Sequence, residues 1–206
     1  MSRYRGPKMR IVRRLGRLPG FTTKITKRTT LPGQHNKLRL KRKAVSSYSI
    51  RLEEKQKLRY NYGLTEKQLF RYVKEAKRLR GSTGVILLQL LEMRLDNIVF
   101  RLGFGNTIPA SRQIVNHGHI FVNGQKVTIP SFQCHPGDII GVKDQKVSKA
   151  LVNQFLKKIK SKRLVCPPYL GFNRNKLHGH VKRVANHTDA NIKINALLIV
   201  EYYSRK

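Results

Sequence analysis

Thr107-Ile108-Pro109-Ala110-Ser111-Arg112-Gln113-Ile114-Val115-Asn116-His117-Gly118-His119-Ile120-Phe121-Val122-Asn123-Gly124-Gln125-Lys126-Val127 changes from a helical to a strand pattern within a single short stretch. Thr107 can cap a helix whose first turn holds Pro109, where a missing N–H costs nothing. Ile114 and Val115 give that helix an apolar side before Gly118 closes it in a left-handed conformation. Ile120-Phe121-Val122 and Gln125-Lys126-Val127 flank Asn123-Gly124, the pair that best tolerates positive φ at both turn positions, so a tight antiparallel hairpin follows. Pro136-Gly137-Asp138 marks another turn, and Ile139-Ile140-Gly141-Val142 supplies a third strand. Two helices with this short antiparallel sheet make a module of roughly sixty residues, a size that folds alone.

Upstream the periodicity is helical. Residues 49 to 62 are strong helix formers with acids early and bases late, stopped by Gly63. Thr65 and Gln68 have capping-box spacing, with Leu64 and Leu69 placed as a hydrophobic staple. Leu69, Tyr72, Val73 and Ala76 then share one face of a run ending at Gly81. Leu87, Leu91, Leu95, Ile98 and Leu102 continue in phase to Gly103 as a third helical stretch, and these stripes read as core. Downstream, residues 147 to 160 read as a helix, whereas Pro167-Pro168 and the Gly and Asn after them predict an irregular connection. Ile192 to Tyr203 is too apolar to stay exposed and is expected to return onto the first helical region. The expected fold class is α+β: a basic arm (1–47), a helical domain (48–93 plus 189–206), a compact module of two helices and a short sheet (94–155) and a basic connecting segment (156–188).

Charge narrows the partner. The first fifty-two residues contain sixteen Lys or Arg, and the first acid is Glu53. Over all 206 residues, 44 Lys plus Arg face 10 Asp plus Glu, a formal net charge of +34. Such a balance implies a polyanion, RNA or DNA. Residues 1–47 lack an apolar period and are expected to order only against that ligand. A transit-peptide reading of this start conflicts with Pro7, Pro19 and Gly20, which interrupt an amphipathic helix. No apolar run is long enough to span a bilayer. Cys134 and Cys166 form no Cys-x-x-Cys pair, so neither a disulfide framework nor a zinc cluster is expected, and both read as inert thiols.

The order of several segments resembles a known family: Pro32-Gly33-Gln34-His35, Arg51-Leu52-Glu53-Glu54-Lys55-Gln56-Lys57, Tyr62-Gly63, Gly81-Ser82-Thr83-Gly84, Leu91-Glu92-Met93-Arg94-Leu95-Asp96-Asn97, Val115-Asn116-His117, Val122-Asn123-Gly124 and Val200-Glu201-Tyr202-Tyr203-Ser204. Together they are similar to the ribosomal protein S-four family of the small subunit, in its plastid-encoded form. The resemblance implies a primary binder of small-subunit rRNA that grips a multi-helix junction early in assembly. It also implies neighbours including the small-subunit proteins S-five and S-twelve, a part in decoding accuracy, and a plastid (chloroplast) ribosome. Some bacterial relatives carry four N-terminal cysteines that hold zinc; this arm has none, so no metal or other cofactor is expected.

Candidate RNA contacts follow. Arg94, Arg101, Arg112 and Lys126, if near one surface, would satisfy several phosphates at once, Arg with bidentate geometry. Asn116, His117 and His119, where helix gives way to hairpin, can donate to phosphate or sugar, although Asn116 and His117 also suit a helix cap and Asn123 needs no ligand to fit its turn. In the arm, Arg3, Arg5, Lys8, Arg10, Arg13 and Arg14 can thread between RNA helices, and Arg51, Lys55 and Lys57 of the first long helix join the set. Lys37, Arg39, Lys41, Arg42 and Lys43 fall, by resemblance, where messenger RNA enters the subunit. An enzyme is disfavoured: the module is similar to one appended to pseudouridine synthases and some tRNA synthetases, but no acid–base constellation or Walker loop accompanies it. His178 and His180 read as solvent- or phosphate-facing rather than as a metal pair. A DNA-compacting protein would also satisfy the charge, and differs by binding duplex DNA and folded RNA alike.

Overall fold

The computed structural model describes residues 4–28, 30–33, 46–160, 166–190 and 192–204, with side chains through 157 in the last helix before 166. Arg3, Lys37, Arg39, Lys41, Arg42 and Lys43 lie outside the described residues. The chain divides into two compact units, residues 1–84 with 192–206 and residues 85–191. Among the described residues there are eight α-helices and one five-stranded sheet, an α+β fold.

In the first unit, α1 (Lys8–Leu15) begins after Pro7 and stops at Gly16, whose φ is +85°. Part of the expected ligand-ordered arm is therefore folded. The physical reason is a small apolar cluster: Val12, Leu15, Leu18 and Phe21 are buried with Ile11, Tyr60 and Ile192 packed against them. Gly20 N–H donates to Asn61 Oδ1 at 3.0 Å, tying the segment to the next helix. Pro7 and Gly16 bound the helix instead of breaking it, because proline's fixed φ suits a helix start and glycine suits its end.

That next helix, α2 (Ser47–Asn61), starts at the Ser46 cap and stops before Gly63, which has φ +60°. α3 (Glu66–Arg78) carries both hydrogen bonds of the expected capping box, Gln68 N–H to Thr65 Oγ1 at 3.3 Å and Thr65 N–H to Gln68 Oε1 at 3.2 Å. Leu69, Val73 and Ala76 are its buried stripe. The C-terminal α8 (Ala196–Ser204) does return onto these helices, burying Ile199, Tyr202 and Tyr203. Gly84 makes room for it: a Cβ there would lie 2.8 Å from Ala196 Cβ. Glu66 fastens the three helices, accepting from Lys55 Nζ at 3.0 Å and from Tyr203 Oη at 2.8 Å.

In the second unit, α4 (Thr83–Glu92) and α5 (Leu95–Arg101) are two helices where the apolar phase predicts one. The break falls at Met93–Arg94 because other backbone takes over their hydrogen bonds. Cys134 N–H donates to Met93 O, Leu95 N–H to Phe132 O and Asp96 N–H to Pro130 O. α6 (Ile108–Asn116) follows the Thr107 cap and ends at Gly118, φ +73°. β1 (Ile120–Val122) and β2 (Gln125–Lys126) turn at Asn123 and Gly124, φ 50° and 80°, the positive pair a type I′ turn requires. β3 (Ile139–Val142) pairs with β1, and α7 (Lys146–Lys160) comes next.

The expected irregular connection after Pro168 instead holds β4 (Leu170–Asn173) and β5 (His178–Val181), which extend the sheet to the antiparallel order β2-β1-β3-β5-β4. Leu170, Leu177 and Val181 bury into the same core as Leu95, Ile98 and Ile120, so this unit continues past residue 155. The two thiols are free; burial pushes Cys134 up to about 12 and also raises Cys166, leaving both protonated.

Burial opposes ionisation of Glu66, but the bonds from Lys55 and Tyr203 and the Lys55 and Arg59 charges outweigh it, so its folded pKa lies below the ordinary 4.5. A depressed folded pKa stabilises above the unfolded value and stops doing so as pH falls through the folded one. Urea denaturation should therefore show stability falling as pH drops below about 4.5, and Glu66→Gln should flatten that dependence.

Candidate nucleic-acid interface

The second unit contains an internal charge cluster that decides which bases remain for a ligand. Glu92, at the end of α4, is fully buried. It accepts Arg101 Nη2 at 2.6 Å and Nε at 3.1 Å, Asn97 Nδ2 at 2.7 Å and Tyr169 Oη at 3.0 Å. Burial, then the Glu92 charge, raises the Tyr169 pKa, keeping this hydroxyl a donor. Beside it Asp96 takes a two-point contact from Arg94, Nε at 3.0 Å and Nη2 at 2.9 Å, and a 2.7 Å bond from Arg112 Nε. A buried carboxylate is tolerated only when paired and hydrogen-bonded.

The expectation that Arg94, Arg101 and Arg112 lie on one phosphate-facing surface is thus corrected. Arg94 and Arg101 are 3% and 5% exposed, and Arg112 is half-buried on Asp96. Their guanidiniums neutralise interior acids. On α2, Lys55 is likewise turned inward. Lys55, 4% exposed, serves Glu66 and stands 4.7 Å over the Tyr202 ring. The half-buried Arg51 pairs with Glu201 at 2.6 Å, and Lys57 with Glu54 at 2.7 Å.

What faces outward is a different group. At the end of α6, Asn116 and His117 are exposed. Gly118 then turns the chain, and the Lys126 side chain from the hairpin lies across it so closely that a Cβ at 118 would overlap it. His119 stands with its ring 6.1 Å from that of His117 and Nδ1 at 2.9 Å from Ser148 Oγ. Burial first, then the neighbouring His117 and Lys143, lowers the His119 pKa. The helix end and hairpin therefore bring His117, His119 and Lys126 together around a glycine, as a small donor-rich prow. Asn123 is occupied structurally: Oδ1 accepts Ile139 N–H at 2.9 Å and Nδ2 donates to Asp138 at 2.8 Å.

In the first unit, Arg5, Arg10 and Arg14 are exposed, Lys8 lies 5.4 Å over the Phe21 ring, and Arg13 is held by the carbonyls of Thr30 and Leu31. Exposed bases that sequence reading did not single out include Arg17, Lys24, Lys27 and Arg28, which follow α1, and Lys67, Arg71, Lys74, Lys77, Arg78 and Arg80 along and just after α3. Among the described residues no three His, Cys, Asp or Glu converge as a metal site, and no helix is long and apolar enough to cross a membrane.

A folded helix pair and hairpin with a cationic tip, on a chain of this charge, defines a nucleic-acid-binding module, and a model of the S4 domain matches residues 93–140. A model described as the ribosomal protein S4/S9 N-terminal domain matches residues 3–92. Proteins named small ribosomal subunit protein uS4 from Microcystis aeruginosa and Nostoc punctiforme are 57% and 58% identical over 206 residues, covering all of both chains. A protein named small ribosomal subunit protein uS4c from Oltmannsiellopsis viridis is 54% identical over 205 residues, again across both chains. The chain belongs to the uS4 family of small-subunit ribosomal proteins, structural components and not enzymes.

Because Arg101 balances a buried carboxylate, Arg101→Ala should cost stability of about 3–5 kcal/mol, the range for stranding a buried charge. Tyr169→Phe, which removes one donor and leaves those of Arg101 and Asn97, should cost only about 1 kcal/mol. Urea unfolding of both variants measures this; an unchanged midpoint for Arg101→Ala would show that Glu92 does not need its partner.

Proposed function

We propose that this chain is a primary rRNA-binding component of the small ribosomal subunit, presenting a preformed cationic scaffold to a multi-helix junction and stabilising it early in assembly. The observation that carries the proposal is the segregation of charge. Eight of the ten acids, including Glu92, Asp96 and Glu66, are ion-paired with Lys or Arg, while most of the remaining bases among the described residues face outward. Folded RNA packs phosphates closely, and its deep, narrow major groove resists side-chain readout, so a rigid basic surface reads shape through phosphates and 2′-hydroxyls.

In this reading the contacts are Arg5, Lys8, Arg10, Arg13 and Arg14 of the first unit and Asn116, His117, His119 and Lys126 of the second, within an RNA-binding module of residues 94–155. Arg3 joins the first set, and Lys37, Arg39, Lys41, Arg42 and Lys43 lie along the path of messenger RNA. Neighbouring small-subunit proteins, S-five and S-twelve among them, complete the site and link it to decoding accuracy. The ribosome is a plastid one, supported by the similarity to the uS4c protein of Oltmannsiellopsis viridis and to cyanobacterial proteins.

Competition separates this from general polyanion binding. At ~0.2 M salt the full chain should keep at least a tenfold preference for small-subunit rRNA over duplex DNA of equal length, although both affinities fall with salt. Equal affinity would overturn the proposal. Arg10→Ala and Arg14→Ala should each reduce the salt slope by about one, without altering unfolding.

A further inference from the structure

The sheet has one face in the core and one left open, and the open face is unusual. Ile120, Val122, Ile140, Val142, Leu170 and Val181 point into the core, with Gly179 closely approached by Leu102. On the other side, one cross-strand row runs Lys126, Phe121, Gly141, His178, Asn173, and the next pairs Ile139 with His180 and Gly171. His178 and His180 are exposed and Phe121 is half-buried.

Gly141 and Gly171 are not among the positive-φ glycines, so their backbones do not require glycine. Their neighbours do. A Cβ on Gly141 would sit 3.1 Å from His178 Cδ2, and one on Gly171 would overlap the His180 ring. Glycine inside a strand sacrifices packing and marks a close approach. Here it lets two imidazoles lie down across the sheet, giving a flat patch of rings.

No Asp or Glu stands on any of the five strands. Exposed Arg174, Lys176 and Lys182 flank the patch from the β4–β5 turn and the end of β5. Flat rings edged by cations suit unpaired nucleotides, whose base faces are free to stack while phosphates reach the cations. A duplex hides its base faces. A protein partner would meet one large exposed apolar side chain here, Ile139, within a positive rim.

We propose that this open sheet face is a second RNA site, which holds splayed-out, single-stranded nucleotides by stacking on His178 and His180. It lies largely beyond the matched S4-domain residues, which end at 140. It rests on the chain being an rRNA binder and adds the ligand class for a surface of which that reading uses only Lys126, at its edge.

The test compares the full chain with His178→Ala/His180→Ala in fluorescence anisotropy against an oligoadenylate of about twelve nucleotides and an RNA duplex of matching length. Stacking predicts roughly tenfold or greater loss for the single strand and less than about twofold for the duplex, given the usual worth of one base stacked on a side chain. His178→Phe/His180→Phe should retain single-strand affinity. Wild-type affinity in the Ala variant, or rescue by Lys substitutions and not by Phe, would overturn the proposal, as would cross-links from β5 in assembled subunits going to protein and not to RNA. Circular dichroism checks folding of each variant. The preference of the wild-type chain for rRNA over duplex DNA is measured separately, so failure at the sheet leaves the ribosomal reading standing, and loss of that preference would sink the reading itself.

Discussion

A carboxylate without access to solvent, Glu92, is the constraint around which the second unit is arranged. Its charge must be met inside the protein, and Asn97 and Arg101 on α5 and Tyr169 just before β4 donate to it. Those bonds join the end of α4, the next helix and the far side of the sheet. Asp96 does the same for Arg94 and for Arg112 on α6. Buried ion clusters of this kind are worth little as net stability but are costly to break, so they favour one packing over near alternatives.

This has an electrostatic consequence at the surface. A chain of net charge +34 repels itself when compact. Placing the scarce acids where they neutralise interior or half-buried bases relieves that repulsion locally, and concentrates the unopposed charge outside. The prow of His117, His119 and Lys126 and the bases of α1 are part of that outward charge. Their positions are set by packed elements, a capped helix end, a type I′ hairpin and the small Val12–Phe21 cluster. A ligand that fits such a surface loses less conformational entropy in ordering it, which is the advantage of preorganisation.

The local signals were legible in the sequence and the non-local ones were not. The Thr65–Gln68 box, the Thr107 cap and the Asn123-Gly124 turn depend on residues a few positions apart, and each formed as its pattern predicts. β4 and β5 were hidden because Pro, Gly and Asn dominate the local reading, while the alternation in Leu177-His178-Gly179-His180-Val181 becomes meaningful only with β3 alongside. α1 was hidden because its Ile11, Val12 and Leu15 gain a core only with Leu18, Phe21, Tyr60 and Ile192 around them. For the interface, arginine type alone misled. Arg94 and Arg101 sit in the stretch from Leu87 to Leu102, where ten of sixteen residues are apolar and the only acids, Glu92 and Asp96, lie within a few positions of them; acids so placed among apolar residues were a usable sign that these arginines serve the interior.

The account stands on the second unit's surface being built before RNA arrives. Hydrogen exchange of the free full-length chain tests this most directly, at the amides of Leu95, Asp96, Leu102 and Val181, which lie in the hydrogen-bonded framework around the charge cluster. The account predicts that these amides exchange only through global unfolding, with little further slowing beyond ligand-linked stabilisation when small-subunit rRNA is added. Rapid exchange in the free chain, with protection gained only on rRNA binding, would contradict it.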